Sequence, residues 1–426
     1  MSELDHRLPE ALARDASDGL AAFRERFALP RAASGQPLIY LCGHSLGLAP
    51  LAARGLVEAE LQDWERLGVL GHEAARNAWI QYAEALQPQL AALCGAQPGE
   101  IVAMNSLSVN LHLLLASFYR PHGPRRSILI EAGAFSSDRH VVSSQIAWHG
   151  LDPGAELIEL RPRAGEDLLR IEDIEARIAA EAARLALVLW PGVQYRTGQS
   201  FDLRRIARAT HAAGARAGFD LAHAIGNVPL SLHDDDADFA VWCSYKFLNA
   251  GPGALAGAFV HQRHLQDSTL PRLQGWWGHE ARTRFEMSPT FVPATGASAW
   301  AISNPPILSA APLRASLSLF AAAGMPALRH KSVALTGYLA SLLQELGGQH
   351  LTLVSPADAS ERGAQLSLRV RAGAAHGRAL FEALLDRGVV CDWRAPDVIR
   401  LAPVPFYNSF EDVLRGACIL CDLMPA

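Results

Sequence analysis

The 426-residue sequence lacks a surplus of either charge: 38 lysines and arginines stand against 43 aspartates and glutamates, a formal net charge of −5. Without a basic excess it carries no electrostatic footprint for nucleic acid or an anionic membrane. Long hydrophobic runs are missing too, and stretches such as LLLASF (113–118) fall far short of the roughly 20 residues of a membrane span. The N-terminal MSELDHRLPE carries acids and no apolar core, so it does not read as a secretory signal. Cysteine is sparse, with six residues scattered at 42, 94, 243, 391, 418 and 421. That spacing excludes a disulfide framework and predicts reduced thiols in a cytoplasmic protein.

Metal signatures are absent as well. Cys418 and Cys421 lie in GACILCDL, whose apolar spacing is helical, and no second ligand pair accompanies them. Neither His72-Glu73 nor His279-Glu280 continues as HExxH, so a zinc hydrolase has no foothold. The acidic run HDDDAD (233–238) reads as a solvated turn. No P-loop or GxGxxG stands in the right context, which disfavours a nucleotide.

What is present is a composition that is 50% hydrophobic, enough for a large core and two domains. From about residue 76 strands and helices alternate. RRSILIEAGAF (125–135), ARLALVLWPG (183–192), ARAGFDLAHAIG (215–226) and DFAVWCSYK (238–246) read as buried strands with turns. MNSLSVNLHLLLASFY (104–119) reads as a turn feeding a helix, and DLRRIARATHAAG (202–214) as an amphipathic helix stopped by glycine. This order predicts an α/β fold with a mostly parallel, helix-sandwiched sheet and a smaller α+β C-terminal domain. The expected division is an N-terminal segment (1–75) packing on the small domain and active site, a large domain (76–305) and a small domain (306–426). In such sheets the site lies beyond the carboxyl ends of the strands.

Asp138, Asp220, His223 and Lys246 all fall at those ends. A lysine in apolar company has its neutral amine favoured by desolvation, which suits Schiff-base chemistry. Asp220, after Phe219, can face a pyridinium nitrogen and keep a ring protonated as an electron sink. Ser106, Leu107 and Ser108 begin a helix whose free N–H groups attract an anion. Phe135 can stack on a flat ring, with Asp138 close by. Taken singly, each has a bland reading: a snorkelling lysine, a helix cap, a core phenylalanine. Their order along the chain is what a pyridoxal-phosphate enzyme requires.

The strings GHSLGLAP (43–50), GHE (71–73), NSLSVNLHLLL (105–115), PGVQYRTGQ (191–199), FDLAHAIGNVPLSLHD (219–234), WCSYKFLNAGPG (242–253), GWWGHE (275–280), ISNPPI (302–307) and IRLAPVPFYNSFEDV (399–413) resemble the kynureninases, a family of fold-type I pyridoxal-phosphate enzymes. The resemblance implies Lys246 as covalent anchor of pyridoxal 5'-phosphate, Asp220 at the ring nitrogen and His223 beside the ring. It implies Phe135 stacked on the cofactor, with Ser136, Ser137 and Asp138 around it. Leu107, Ser108 and the Tyr245 hydroxyl would meet the phosphate. Trp276 and Asn304 would come from the neighbouring subunit of a homodimer with sites at the interface. Arg400 would bind the substrate's carboxylate. Ser45, His72 and Asn304 would surround its aromatic ring, a polar set that favours 3-hydroxykynurenine. His72 has the alternative of capping the helix that follows it.

The implied reaction is hydrolysis of L-kynurenine and L-3-hydroxykynurenine to an aminobenzoate and L-alanine, in tryptophan breakdown or nicotinamide-dinucleotide synthesis. His44 departs from the asparagine common in relatives and is expected to be a loop-surface residue. Pro191 offers no N–H, so its contacts are expected to be apolar. The competing readings are a cysteine desulfurase, which needs a mobile loop cysteine, a class V aminotransferase, and a carrier without turnover, which would not need Arg400.

Overall fold

The computed structural model describes residues 3–424, so Met1, Ser2, Pro425 and Ala426, the ends of the first and last expected segments, lie outside the described residues. Its strands are β1 (Ile39–Tyr40), β2 (Ile101–Ala103), β3 (Ser127–Glu131), β4 (Leu157–Leu160), β5 (Leu185–Pro191), β6 (Arg216–Asp220), β7 (Phe239–Trp242), β8 (Gly257–Val260), β9 (Leu351–Leu353), β10 (Leu366–Val370), β11 (Val389–Val390), β12 (Asp392–Arg394) and β13 (Val398–Leu401).

Seven of them form one sheet in the order β2-β8-β7-β6-β5-β3-β4. All pairs from β4 to β7 are parallel, and only β8 runs antiparallel to its neighbours β7 and β2. Every residue of β3, β7 and β8 is buried. Helices covering both faces explain why these strands read as continuous apolar runs instead of alternating ones. The helices Ser136–Trp148, Ile171–Ala180 and Leu203–Ala212 cross between parallel strands. The last is held at both ends: Asp202 accepts from the Arg205 N–H at 3.0 Å, and Gly214 stops it at φ +73°.

The strand expected over 238–246 is shorter. It ends at Trp242, because the Ala250 N–H donates to the Ser244 carbonyl and the Asn249 N–H to the Lys246 carbonyl. Those turns take the backbone out of the ladder, so Lys246 stands in a loop past the strand end. The acidic run also departs from a solvated turn: Asp234 and Asp236 are exposed, but Asp238 is fully buried. Its carboxylate takes the Ala217 N–H at 2.7 Å, His264 at 2.6 Å, His211 at 2.9 Å and Arg263 at 2.9 Å. Burial alone would push this carboxyl up, but those hydrogen bonds and the Arg263 charge hold it well below the usual carboxylate range.

The second sheet is antiparallel, β12-β13-β10-β9, and β1 pairs in parallel with β11. The helix Glu3–Ala16 lies against Phe410–Asp422, whose first N–H groups are capped by Asp15, at 2.7 Å from Phe410 and 3.0 Å from Glu411. A buried ion pair, Lys331 to Asp18 at 2.6 Å, ties the segment after Glu3–Ala16 to the helix Met325–Gly347. Among the described residues no single helix is long and apolar enough to cross a membrane. One bent pair at 84°, Ile307–Ala323 with Met325–Gly347, passes by length and composition. Its residues Leu313, Leu317, Leu335 and Leu339 are fully buried in the core.

Replacing Asp238 by alanine leaves His211, His264 and Arg263 without their common acceptor and is expected to cost about 3–5 kcal/mol in urea unfolding. Because the folded carboxyl titrates below its ordinary value of 3.8, its contribution is present above that pH and lost as pH falls below it. Wild type should therefore lose stability on acidification more steeply than the Asp238→Asn variant.

Candidate active site

At the shared edge of the parallel strands the chain encloses a cavity of about 170 Å³. Leu107, Ser108, Phe135, Ser137, Asp138, Asp220, His223, Tyr245 and Lys246 line it, as does the apolar Pro191. Ser136 is the first residue of the helix that carries Ser137 and Asp138. Ser106 occupies the N-cap position of Leu107–Phe118, but its side chain makes no cap hydrogen bond. The helix therefore presents open N–H groups to the cavity through Leu107 and Ser108.

Lysine itself carries a signal that composition alone did not use. The chain has two lysines, Lys246 and Lys331. Lys331 is buried and neutralised by Asp18, whereas Lys246 is half-buried with Nζ 5.7 Å from the Phe135 ring centroid and 5.8 Å from that of Tyr245. Phe135 leaves a face toward the cavity and meets Tyr195 edge-on at 5.2 Å.

The electrostatics are unusual for the number of acids. Burial, followed by the adjoining Asp220 carboxyl, pushes the Asp138 carboxyl well above its usual range. Asp220 also accepts from the Ala222 N–H at 2.8 Å. A third acid, Glu131, lines the cavity, and burial pushes it up to about 8. Its neighbour Gln194 donates to Glu131 at 3.1 Å and accepts from the N–H groups of Arg196 and Thr197 at 2.5 and 3.0 Å. His223 is held neutral by burial and then by the positive charges of Lys246 and Arg400, and its Nδ1 is buried without a partner among the described residues. Burial likewise raises the Tyr245 phenol, which keeps its proton. These features fit pyridoxal phosphate: an open helix start for the phosphate, an aromatic face for the ring, a pair of acids that forms no salt bridge among the described residues, and one amine.

Beside the cavity lies a buried clamp. Arg400 is 0% exposed. Its Nε and Nη2 meet Asp392 at 3.0 and 2.8 Å, Nη1 donates to the Tyr195 carbonyl at 2.6 Å, and Nη2 donates to Ser45 Oγ at 3.0 Å. Ser45 Oγ in turn donates to Asp392 at 2.7 Å. Ser45 is thus part of the arginine's hydrogen-bond network. The Gly43–Gly47 loop reaches the cavity wall through the Gly47 N–H, which donates to the Tyr245 carbonyl at 2.8 Å.

His44 is not on the surface; it is fully buried inside that loop. Three expected residues are not brought to the cavity by this chain. Trp276 is 46% exposed and donates to the Arg284 carbonyl at 3.2 Å, and Asn304 is exposed. His72 is exposed in the short helix Gly71–Ala74, caps nothing, and packs edge-on against Trp79 at 5.6 Å. Glu131, Gln194, Tyr195 and Asp392 were missed. Gln194 and Tyr195 lie in PGVQYRTGQ, but no spacing rule marks a backbone carbonyl or an amide as part of a site.

The fold and cavity together define a class, the fold-type I enzymes whose large domain anchors pyridoxal phosphate on a lysine. Solved structures agree in fold. The cystine C–S lyase C-DES with its product cysteine persulfide matches at TM-score 0.77 and 20% identity, over 91% of this chain and 98% of that one. Cysteine desulfurase from Thermococcus onnurineus NA1 matches at 0.75 and 18%, over 91% and 94%. Residues 328–420 match the family model for the kynureninase C-terminal domain. Kynureninase of Xanthomonas campestris pv. campestris (strain B100) is 58% identical over 403 residues, 95% of each chain. That of Stenotrophomonas maltophilia (strain K279a) is 54% identical over 413 residues, 97% of each. The chain belongs to the kynureninase family.

Glu131 gives this site a pH signature. Its folded carboxyl titrates near 8 against an ordinary 4.5, so between those values the folded chain holds a proton that the unfolded chain has lost. Stability contributed by this group is lost as pH rises through that window. Relative to Glu131→Gln, wild type should lose more than about 1.4 kcal/mol from about pH 5 to about pH 8, read by urea unfolding.

Proposed function

We propose that the chain hydrolyses L-kynurenine and L-3-hydroxykynurenine between Cβ and Cγ, releasing anthranilate or 3-hydroxyanthranilate together with L-alanine. Family membership supports the reaction, and the observation that carries the assignment of roles is the convergence of Lys246, Asp138 and Asp220 on one cavity beside the buried Arg400. Pyridoxal phosphate, when bound, supplies the electron sink that makes the substrate's Cα proton labile.

The chain's own residues do the rest. Asp220 would face the ring nitrogen and keep it protonated. Leu107, Ser108 and the Tyr245 hydroxyl would hold the phosphate, Phe135 and His223 would flank the ring, and Ser136, Ser137 and Asp138 would border it. Arg400 fixes the substrate's α-carboxylate with a planar guanidinium. Lys246 Nζ, as a free amine, would take the proton from Cα. A water molecule adds its oxygen to Cγ, so that the aryl fragment leaves as the carboxylic acid. Tyr245 Oη, which keeps its proton at neutral pH, delivers one to Cβ and is replenished by the proton the added water loses; Lys246 returns its proton to Cα, and alanine departs.

The working form is a cytoplasmic homodimer in which Trp276 and Asn304 of one protomer complete the other's site. Because Ser45 is committed to Asp392 and Arg400, recognition of a ring hydroxyl falls on His72 and Asn304. A site with hydrogen-bonding groups there favours the hydroxylated substrate. A desulfurase reading is disfavoured by the thiols. Cys243 is buried and its thiol raised by burial, and Cys421, half-buried, sits in the C-terminal helix.

Mixing the purified, cofactor-loaded protein with each substrate should yield aminobenzoate fluorescence and stoichiometric alanine. Lys246→Ala should abolish turnover, and full activity in that variant would sink the assignment of the amine. Specificity constants should favour 3-hydroxykynurenine; a strong preference for the unsubstituted substrate would reject the role of His72 and Asn304.

A further inference from the structure

His44 is a buried group beside this site to which the proposed reaction gives no role. It is 0% exposed, yet neither Nδ1 nor Nε2 has a hydrogen-bond partner among the described residues. Leaving a buried polar group unpaired is costly, and its neighbours show what it awaits. The ring lies 6.3 Å from that of His223, centroid to centroid. One of its nitrogens, Cys42 Sγ and an Asp392 oxygen all lie within 4.8 Å of one another. That group does not suit a cation, since Arg394 and Arg400 both pair with the same carboxylate, at 3.1 and 2.8 Å. Burial, and then the positive charges of Arg400, Arg394 and Lys246, hold the imidazole neutral, so it keeps one N–H to give.

The loop leaves this ring little room to turn away. A Cβ at Gly43 would stand 2.3 Å from the Tyr407 hydroxyl, and one at Gly47 2.2 Å from the Asn249 side chain. His44 is therefore wedged between the segment that carries Lys246 and the segment that carries Arg400.

Arg400 is short of free donors. Nε, Nη1 and Nη2 each already face a protein acceptor, in Asp392, the Tyr195 carbonyl and Ser45. A carboxylate arriving there must share those nitrogens, while its oxygens offer about four acceptor sites. We propose that His44 is a substrate-binding residue, whose N–H donates to the α-carboxylate of the amino-acid substrate alongside Arg400. This rests on reading Arg400 as the carboxylate clamp and adds to that reading a neutral donor facing the same group.

The test uses the cofactor-loaded protein and three substitutions: His44→Asn, which keeps a donor, His44→Leu, which fills the space without one, and Arg400→Lys. Losing a hydrogen bond to a charged group should raise KM for kynurenine about tenfold or more in His44→Leu, with kcat changed less than about twofold. His44→Asn should restore most of the loss. Calorimetric binding of the product L-alanine should weaken by a similar factor in His44→Leu, whereas alaninamide, which lacks the carboxylate, should bind wild type and variant alike. If Arg400→Lys raises KM and His44→Leu does not, this inference is overturned while the clamp stands. If Arg400→Lys leaves KM and alanine binding unchanged, the clamp reading itself falls. Should His44→Leu fail to fold, His44→Ala replaces it, with the alanine-to-alaninamide ratio as readout.

Discussion

A parallel ladder can be joined only by connections that cross over the sheet, so each strand delivers its last residue to the same edge. That constraint carries the rest of this molecule. Glu131 closes β3 and Asp220 closes β6, while Asp138 and Lys246 follow shortly after β3 and β7. Strand-end groups as far apart as Glu131 and Lys246 thereby share one cavity. The register between β5 and β6, with Pro191 opposite Asp220, fixes the depth at which the acid stands. A one-residue slip would turn that carboxylate to the other face of the sheet.

The edge alone would bind a cofactor without holding a substrate. The clamp is built from three distant pieces: Ser45 from the N-terminal loop, Tyr195 from the loop after β5, and Arg400 with Asp392 from the antiparallel sheet. A fully buried guanidinium is expensive unless its nitrogens are satisfied, and here each of them is. The same acceptors that make burial tolerable also fix the plane of the arginine. Arg196 and Arg369 both pair with Asp397 at 2.6 Å, so the loop after β5 is tied to the second sheet by ion pairs as well.

Much of this was legible in the sequence, for identifiable reasons. Continuous apolar runs such as SILIE and LALVLWP are what a sheet covered on both faces demands, so β3 and β5 were readable from pattern alone. Asp220 and Lys246 were readable because strand ends in α/β sheets collect functional groups. The length of β7 was not, since backbone turns at Ser244 and Lys246 override an apolar run that continues past Trp242. The acidic run misled because a string of like charges suggests solvent, whereas three histidine and arginine side chains from other segments converge on Asp238. His44 misled for the opposite reason: nothing local tells that a loop residue is covered by chain arriving some 350 positions later. Trp276, His72 and Asn304 matched family strings, but one chain leaves them away from its own cavity.

The near absence of lysine has a practical side. With Lys331 buried and neutralised by Asp18, an acylating dye, a crosslinker or an acetyl donor that seeks lysine finds its reachable target in the cavity, and there only while the cofactor is absent. On most proteins such reagents decorate the periphery at random. On this one lysine-directed labelling of the cofactor-free chain would block reloading, and a coupling chemistry meant to spare catalysis must look to other side chains.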